Sequence, residues 1–145
     1  MKQILRDESA QLAFGRQLAA SLRAPVALEL VGDVGTGKTT LVKGLAEGLG
    51  ITEEVTSPSF TISKQYTAPS GLTLVHYDFY RLPDPGLMAD DLLENLSSDH
   101  TITVVEWADS VSDFLPANHQ TLYLTLNPDG SRTISDQPLT EQEPA

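Results

Sequence analysis

Val26-Ala-Leu-Glu-Leu-Val31 runs directly into Gly32-Asp33-Val34-Gly35-Thr36-Gly37-Lys38-Thr39-Thr40, and the reading of this stretch decides the fold. Its second half fits G-x-x-x-x-G-K-[ST], the phosphate-binding P-loop. The apolar run before it predicts a short buried strand. After it, Leu41, Val42, Leu45, Ala46 and Leu49 recur at helical spacing. The motif needs this strand–loop–helix order. Glycines let backbone N–H groups converge on phosphate oxygens, and the helix N-terminus adds its partial positive charge. Asp33, Val34, Gly35, Thr36, Gly37, Lys38, Thr39 and Thr40 are therefore expected to cradle a nucleoside triphosphate. Lys38 would reach the β- and γ-phosphates, and the Thr39 hydroxyl would take one Mg²⁺ position.

The chain of 145 residues is long enough for one domain with a real core, and its 40% apolar content is that of a soluble globular protein. No stretch approaches the roughly 20 apolar residues of a membrane span. The opening Met-Lys-Gln-Ile-Leu-Arg-Asp-Glu carries charges where a signal peptide needs its apolar segment. With no cysteine, neither disulfides nor thiolate metal sites are available, which is compatible with a cytoplasmic protein. The net charge is −11, and after Lys43 only Lys64, Arg81 and Arg132 are basic. A protein that grips nucleic acid by itself offers a basic stripe to the phosphates. Autonomous DNA or RNA binding is not expected here, and a nucleic-acid role would run through partner proteins.

Along the chain, Asp7 or Ser9 can cap a helix that ends near Leu22, with Phe14, Leu18 and Leu22 on one stripe. Gly48 and Gly50 stop the helix after the P-loop. Thr61-Ile-Ser-Lys-Gln-Tyr66 alternates like a half-buried strand. Ala68-Pro-Ser-Gly71 is turn chemistry, so Leu72-Thr-Leu-Val-His-Tyr77 should return antiparallel. Asp84-Pro85 reads as a cap followed by proline at the first position of a short acidic helix that runs through Leu96. Thr101-Ile-Thr-Val-Val105 has the β-branched composition of a central strand. A helical turn is expected between Val111 and Leu115, then a hairpin from Thr121 to Leu126 and Arg132 to Ile134 around Asn127-Pro-Asp-Gly130. Residues 1–135 make the domain, and the polar, acidic residues 136–145 read as a flexible tail.

A P-loop needs an acid at the end of a neighbouring strand to hold Mg²⁺ directly or through water. Glu106 follows the central run and Asp78 follows Leu74-Val-His-Tyr77. Strand C-termini line the ligand crevice of an α/β sheet, so both acids can face the phosphates. Glu106 is assigned to the metal, and Asp78 to a supporting or water-orienting role; the alternative for Asp78 is a surface pair with Arg81. Thr56-Ser-Pro-Ser59-Phe60 lies one helix after the P-loop, where a hydroxyl can meet Mg²⁺ or the γ-phosphate. Loop chemistry alone explains that segment equally well. His76, His100 and His119 lack metal-like spacing and read as structural. Tyr77, Phe79 and Tyr80 read as packing residues.

Four strings occur together in order: the P-loop, Ser57-Pro-Ser-Phe60, His76-Tyr-Asp-Phe-Tyr-Arg-Leu82 and Val105-Glu-Trp107. In this combination the chain resembles the bacterial ATPase family of tRNA threonylcarbamoyladenosine biosynthesis, TsaE, from its first helix to about Arg132. The resemblance implies an α/β fold: a single P-loop NTPase domain whose parallel core sheet is extended by antiparallel strands and flanked by helices. It implies a Mg²⁺-dependent ATPase, weak alone and stimulated by the two-subunit threonylcarbamoyl-transferase complex, with tRNA met only through those partners. Hydrolysis would reset the complex between turnovers. Lys38 would neutralise phosphate charge, Thr39 and Glu106 would hold Mg²⁺, Asp78 would sit near the γ-phosphate, and Ser57 to Phe60 would form a switch that includes Ser59. Trp107 would buttress that region. Asp7, Glu8 or Arg132 would contact the base or ribose.

Two positions depart from the family pattern. Ser59 stands where threonine is usual, which keeps the hydroxyl but frees χ1. Gly86 and Leu87 stand where glutamates follow Asp-Pro, which touches a partner contact rather than nucleotide binding. Two other functions compete with this reading. A small-molecule kinase of the P-loop class clamps donor and acceptor phosphates with several cations, and this chain has three beyond Lys43. A regulatory nucleotide binder without turnover is the third reading, and the presence of Asp78 and Glu106 argues against it. No Asn-Lys-x-Asp string for guanine occurs.

Overall fold

A computed structural model describes residues 1–33, 35–58, 62–80, 86 and 88–138. Seven strands and three helices follow in the order β1 (Lys2–Leu5), α1 (Glu8–Ser21), β2 (Val26–Val31), α2 (Lys38–Gly48), β3 (Ser63–Thr67), β4 (Thr73–Asp78), α3 (Met88–Leu96), β5 (Thr101–Glu106), β6 (Gln120–Leu126) and β7 (Arg132–Ser135). All seven strands form one sheet in the order β1-β7-β6-β2-β5-β4-β3. The four in the middle, β6, β2, β5 and β4, are mutually parallel, while β3 and β7 add antiparallel at either side and β1 closes the far edge against β7. The expected parallel core with antiparallel extensions is what the sheet shows.

Composition explains the centre. β4 and β5 are buried along their whole length, as strands covered on both faces must be. Alternation divides their side chains between two cores. Leu74, Ile102 and Val104 join Leu28, Leu30, Leu41 and Leu45 under α1 and α2. Val75, Tyr77 and Val105 face the other way, against Leu92 of α3 and Val111. Burying one such leucine or valine contributes about 1.5–3 kcal/mol.

The helices begin as their sequences dictate. Asp7 caps α1, its Oδ1 accepting the Ala10 N–H at 2.8 Å, so the cap is Asp7 rather than Ser9. α2 starts at Gly37 in the left-handed region (φ 90°), and no side chain caps it among the described residues. Its first N–H groups therefore remain available to a ligand. α3 occupies the acidic stretch, although Asp84, Pro85 and Leu87 lie outside the described residues. Where one helical turn was expected after β5, two short 3₁₀ turns occur, Ala108–Ser110 and Ser112–Phe114.

The final hairpin forms around Asn127, whose Nδ2 donates to Ser131 Oγ and Thr133 Oγ1, each at 3.0 Å. Beyond it, the Asp136 N–H donates to the Met1 carbonyl at 3.2 Å, and residues 139–145 lie outside the described residues. β1 has no signature in the sequence. It is a four-residue edge strand with only Leu5 buried, so neither length nor alternation announces it.

Candidate functional site

Parallel pairing of β4 with β5 sets Asp78 directly beside Glu106, and pairing of β2 with β5 sets Glu106 beside Leu30, two residues before the P-loop. Both carboxylates thus emerge at the C-terminal ends of central strands, on the face that α2 covers. A cleft of about 570 Å³ opens there, lined by Gly35, Gly37, Lys38, Thr39, Thr40, Ser57, Asp78, Tyr80, Glu106, Trp107 and Arg132. Most of the residues expected to touch nucleotide or metal are in this one place. Asp33 and Thr36 line an adjoining cleft of about 520 Å³ with Glu29, Val31 and Tyr123. Val34 and Ser59 lie outside the described residues, as do Phe60, Thr61 and the Arg81 that was the alternative partner of Asp78.

Lys38 is the electrostatic centre. Its Nζ donates to the Gly32 carbonyl, lies 3.8 Å from Glu106 Oε1, and stands 4.2 Å above the Trp107 ring. Burial lowers its pKa from the usual lysine value, opposed by the charges of Glu106, Asp78 and Asp33. A cation held this way in a partly dry cleft favours an anion. Trp107 reaches its position through a left-handed backbone (φ 55°), uncommon for a large residue, and its ring meets Tyr80 at 4.7 Å. Tyr80 was expected only to pack; it lines the cleft as well.

Asp78 is fixed on three sides. Its Oδ1 accepts the Tyr80 N–H at 2.9 Å, its own N–H donates to the Ile62 carbonyl at 2.8 Å, and the next N–H, that of Phe79, donates to the Glu106 carbonyl at 3.1 Å. Ile62 holds φ 70°, a strained value for a β-branched residue, at the exit of the segment containing Ser57 and Ser59. Arg132 reaches across from β7, its Nη2 donating to the Gly35 carbonyl at 3.4 Å. Asp7 is occupied as a helix cap.

Two residues at the site were not assigned to it from the sequence. Gln11 of α1 is fully buried, and its Nε2 donates to the carbonyls of Thr36 (3.1 Å) and Gly37 (2.9 Å). His76 is a buried histidine, as expected, but its Nε2 is hydrogen-bonded to Glu106 Oε2. Its spacing was the available signal, because residues two apart on a strand share a face. No comparable signal exists for Gln11. His100 and His119 are structural: His119 Nδ1 donates to the Pro116 carbonyl at 2.8 Å, and His100 is exposed beside Ser98.

The donor set fits a hard divalent cation. The Thr39 hydroxyl and the Asp78 and Glu106 carboxylates are oxygen ligands. No group of three or more histidine, cysteine, aspartate or glutamate side chains that could hold a metal occurs among the described residues. Such a partial set suits Mg²⁺, which completes its shell with water and substrate phosphates rather than a protein cage.

A family model described as Threonylcarbamoyl adenosine biosynthesis protein TsaE matches residues 5–134. The tRNA threonylcarbamoyladenosine biosynthesis protein TsaE of Nostoc sp. is 35% identical over 140 residues, which cover 94% of this chain and 85% of that one. The protein of the same name from Bacillus subtilis is 39% identical, over 85% of this chain and 76% of its own. The crystal structure of Bacillus subtilis YdiB superposes with a TM-score of 0.77 at 34% identity, covering 92% of this chain and 82% of that one. With the P-loop, both strand-end acids and Trp107 gathered in one cleft, and this similarity along nearly its whole length, the chain belongs to the TsaE family.

Proposed function

We propose that this protein is a Mg²⁺-dependent ATPase that serves as an accessory subunit of the tRNA threonylcarbamoyladenosine modification machinery. One observation carries the catalytic part: Lys38, Thr39, Asp78 and Glu106 line a single cleft at the uncapped start of α2. In turnover, the N–H groups of the loop and helix start bind the phosphates of ATP. Lys38 exchanges the Gly32 carbonyl for phosphate oxygens and neutralises their charge. Thr39 and Glu106 would hold Mg²⁺, which supplies charge neutralisation at the β- and γ-phosphates when bound. Asp78, immobilised by Tyr80 and Ile62, orients the attacking water. The water oxygen bonds to the γ-phosphorus, the bond to the β–γ bridging oxygen breaks, and ADP and phosphate leave.

Family membership carries the biological part. The partner is the two-subunit threonylcarbamoyl-transferase complex, tRNA is met through it, and ATP hydrolysis resets it between turnovers in the cytoplasm. A net charge of −11 supports indirect contact with tRNA.

The test is phosphate release from ATP with and without Mg²⁺, by the purified chain alone and with the two-subunit complex. Slow release alone that rises with the complex is expected. Lys38→Ala should lower the rate about 10²–10³-fold, the scale for losing one preorganised charge-stabilising group. Glu106→Ala should remove the Mg²⁺-dependent turnover, and turnover identical to the wild type would show that another acid holds the metal. Phosphate appearing on an added small-molecule acceptor would establish a kinase instead, and tight ATP binding without turnover under every condition would establish a regulatory binder.

A further inference from the structure

We propose that His76 is a positioning residue that holds the Glu106 carboxylate with one oxygen turned toward the metal position. The proposal rests on the ATPase reading above. His76 is fully buried in the middle of β4, beside Val104 in the parallel register and two residues before Asp78. Its Nε2 meets Glu106 Oε2, while Glu106 Oε1 lies 3.8 Å from Lys38 Nζ at the cleft. An ionised carboxylate only accepts hydrogen bonds, so the Nε2 of His76 carries the hydrogen. Its Nδ1 is buried and without a hydrogen-bond partner among the described residues. A core that needed only to be filled would be better served by leucine or phenylalanine, which bring no unpaired polar atom. Lys64, opposite His76 in the β3–β4 register, directs its Nζ to Thr56 Oγ1, and Nδ1 gains no bond from it.

Glutamate has three side-chain torsions, and Glu106 is restrained by His76 and Lys38 among the described residues. Lys38 is the partner that leaves when a phosphate arrives. From that moment the hydrogen bond to His76 keeps Oε2 in the interior and presents Oε1 to the cation or its water. Partners of this kind, hydrogen-bonded to a metal-ligating carboxylate, set metal affinity by about 10–100-fold.

The experiment measures binding of a fluorescent, non-hydrolysable ATP analogue by the full chain, first in EDTA and then across a Mg²⁺ titration. The chains compared are wild type, His76→Leu, and His76→Gln, whose side-chain amide keeps an N–H donor. Thermal unfolding confirms that each is folded, and His76→Met replaces the leucine variant if that one is not. The expected result is analogue affinity in EDTA within about twofold for all chains, with half-maximal Mg²⁺ raised about 10–100-fold by His76→Leu and largely restored by His76→Gln. A folded His76→Leu with the wild-type Mg²⁺ dependence overturns the proposal. So does a His76→Gln as impaired as His76→Leu, which would make the loss one of packing. Wild-type binding that ignores Mg²⁺ sinks the metal assignment itself and the role of His76 with it. That failure is visible in the unmutated chain and so is distinguishable from the others.

Discussion

At Gln11 a single buried amide holds two carbonyls of the phosphate loop. In a trans peptide the N–H points opposite to the carbonyl, so the amide also sets the direction of the Gly37 and Lys38 N–H groups. Gly37 leaves no room for an alternative: a Cβ there would lie 2.1 Å from Gln11 Nε2, and its φ of 90° strains any other residue. Gln11→Leu removes the donor and strands both carbonyls. We expect a loss of about 1–3 kcal/mol in denaturant unfolding, together with weaker ATP binding by calorimetry. Unchanged affinity in a folded Gln11→Leu would show that the loop holds its shape without the amide. Gln11 was not legible as a site residue because glutamine on an amphipathic helix ordinarily faces water; only the approach of a loop 25 residues away makes it a brace.

Among the elements, the seam between α1 and α2 is unusually close. A Cβ at Gly44 would lie 2.3 Å from the Leu12 carbonyl, one at Gly15 2.5 Å from the Leu41 carbonyl, and one at Gly48 2.6 Å from Ala19 Cβ. Alanine at Gly44 would gain about 1 kcal/mol in helix propensity. The clash is with backbone, which cannot rotate away, and overpacking of this kind costs about 1–3 kcal/mol. Destabilisation therefore wins, and Gly44→Ala should lower the melting temperature. Because α1 carries Gln11 and α2 carries Lys38, ATP affinity should fall as well. α3 is tied to the sheet differently. The buried Tyr77 hydroxyl donates to Asp91 and accepts from Asn95 Nδ2 at 2.6 Å. Burial first, then the bond to Asp91, raises the Tyr77 pKa above its ordinary 10.0. The native state thus keeps a proton that the unfolded chain loses. This contribution is full below pH 10.0 and declines as the pH rises beyond it. Tyr77→Phe should cost about 1–3 kcal/mol at neutral pH and flatten the alkaline fall in stability. Urea titrations at neutral and alkaline pH measure both.

For the molecule as a whole, a ligand that binds only the folded chain stabilises all of it. ATP with Mg²⁺ at a hundred times its Kd should add about 2.7 kcal/mol and raise the melting temperature. Lys38→Ala should show no such rise at the same ligand concentration, and a scan with and without nucleotide decides it. The sequence by itself determined the local units. The strand–loop–helix of the P-loop, a polar cap at Asp7 or Ser9, the β-branched β5 and both hairpins follow from periodicity and turn chemistry that act within a dozen residues. It also placed Asp78 and Glu106 at strand ends. The tertiary structure alone decided what those units do to one another. The lateral order of the strands sets Asp78 beside Glu106, and the same register brings His76 beneath that carboxylate from 30 residues away. The fold also makes an edge strand of Lys2–Leu5 and carries Arg132 to Gly35. Such contacts depend on which strands become neighbours, and that is settled by burial of the whole sheet between its helices rather than by any local pattern.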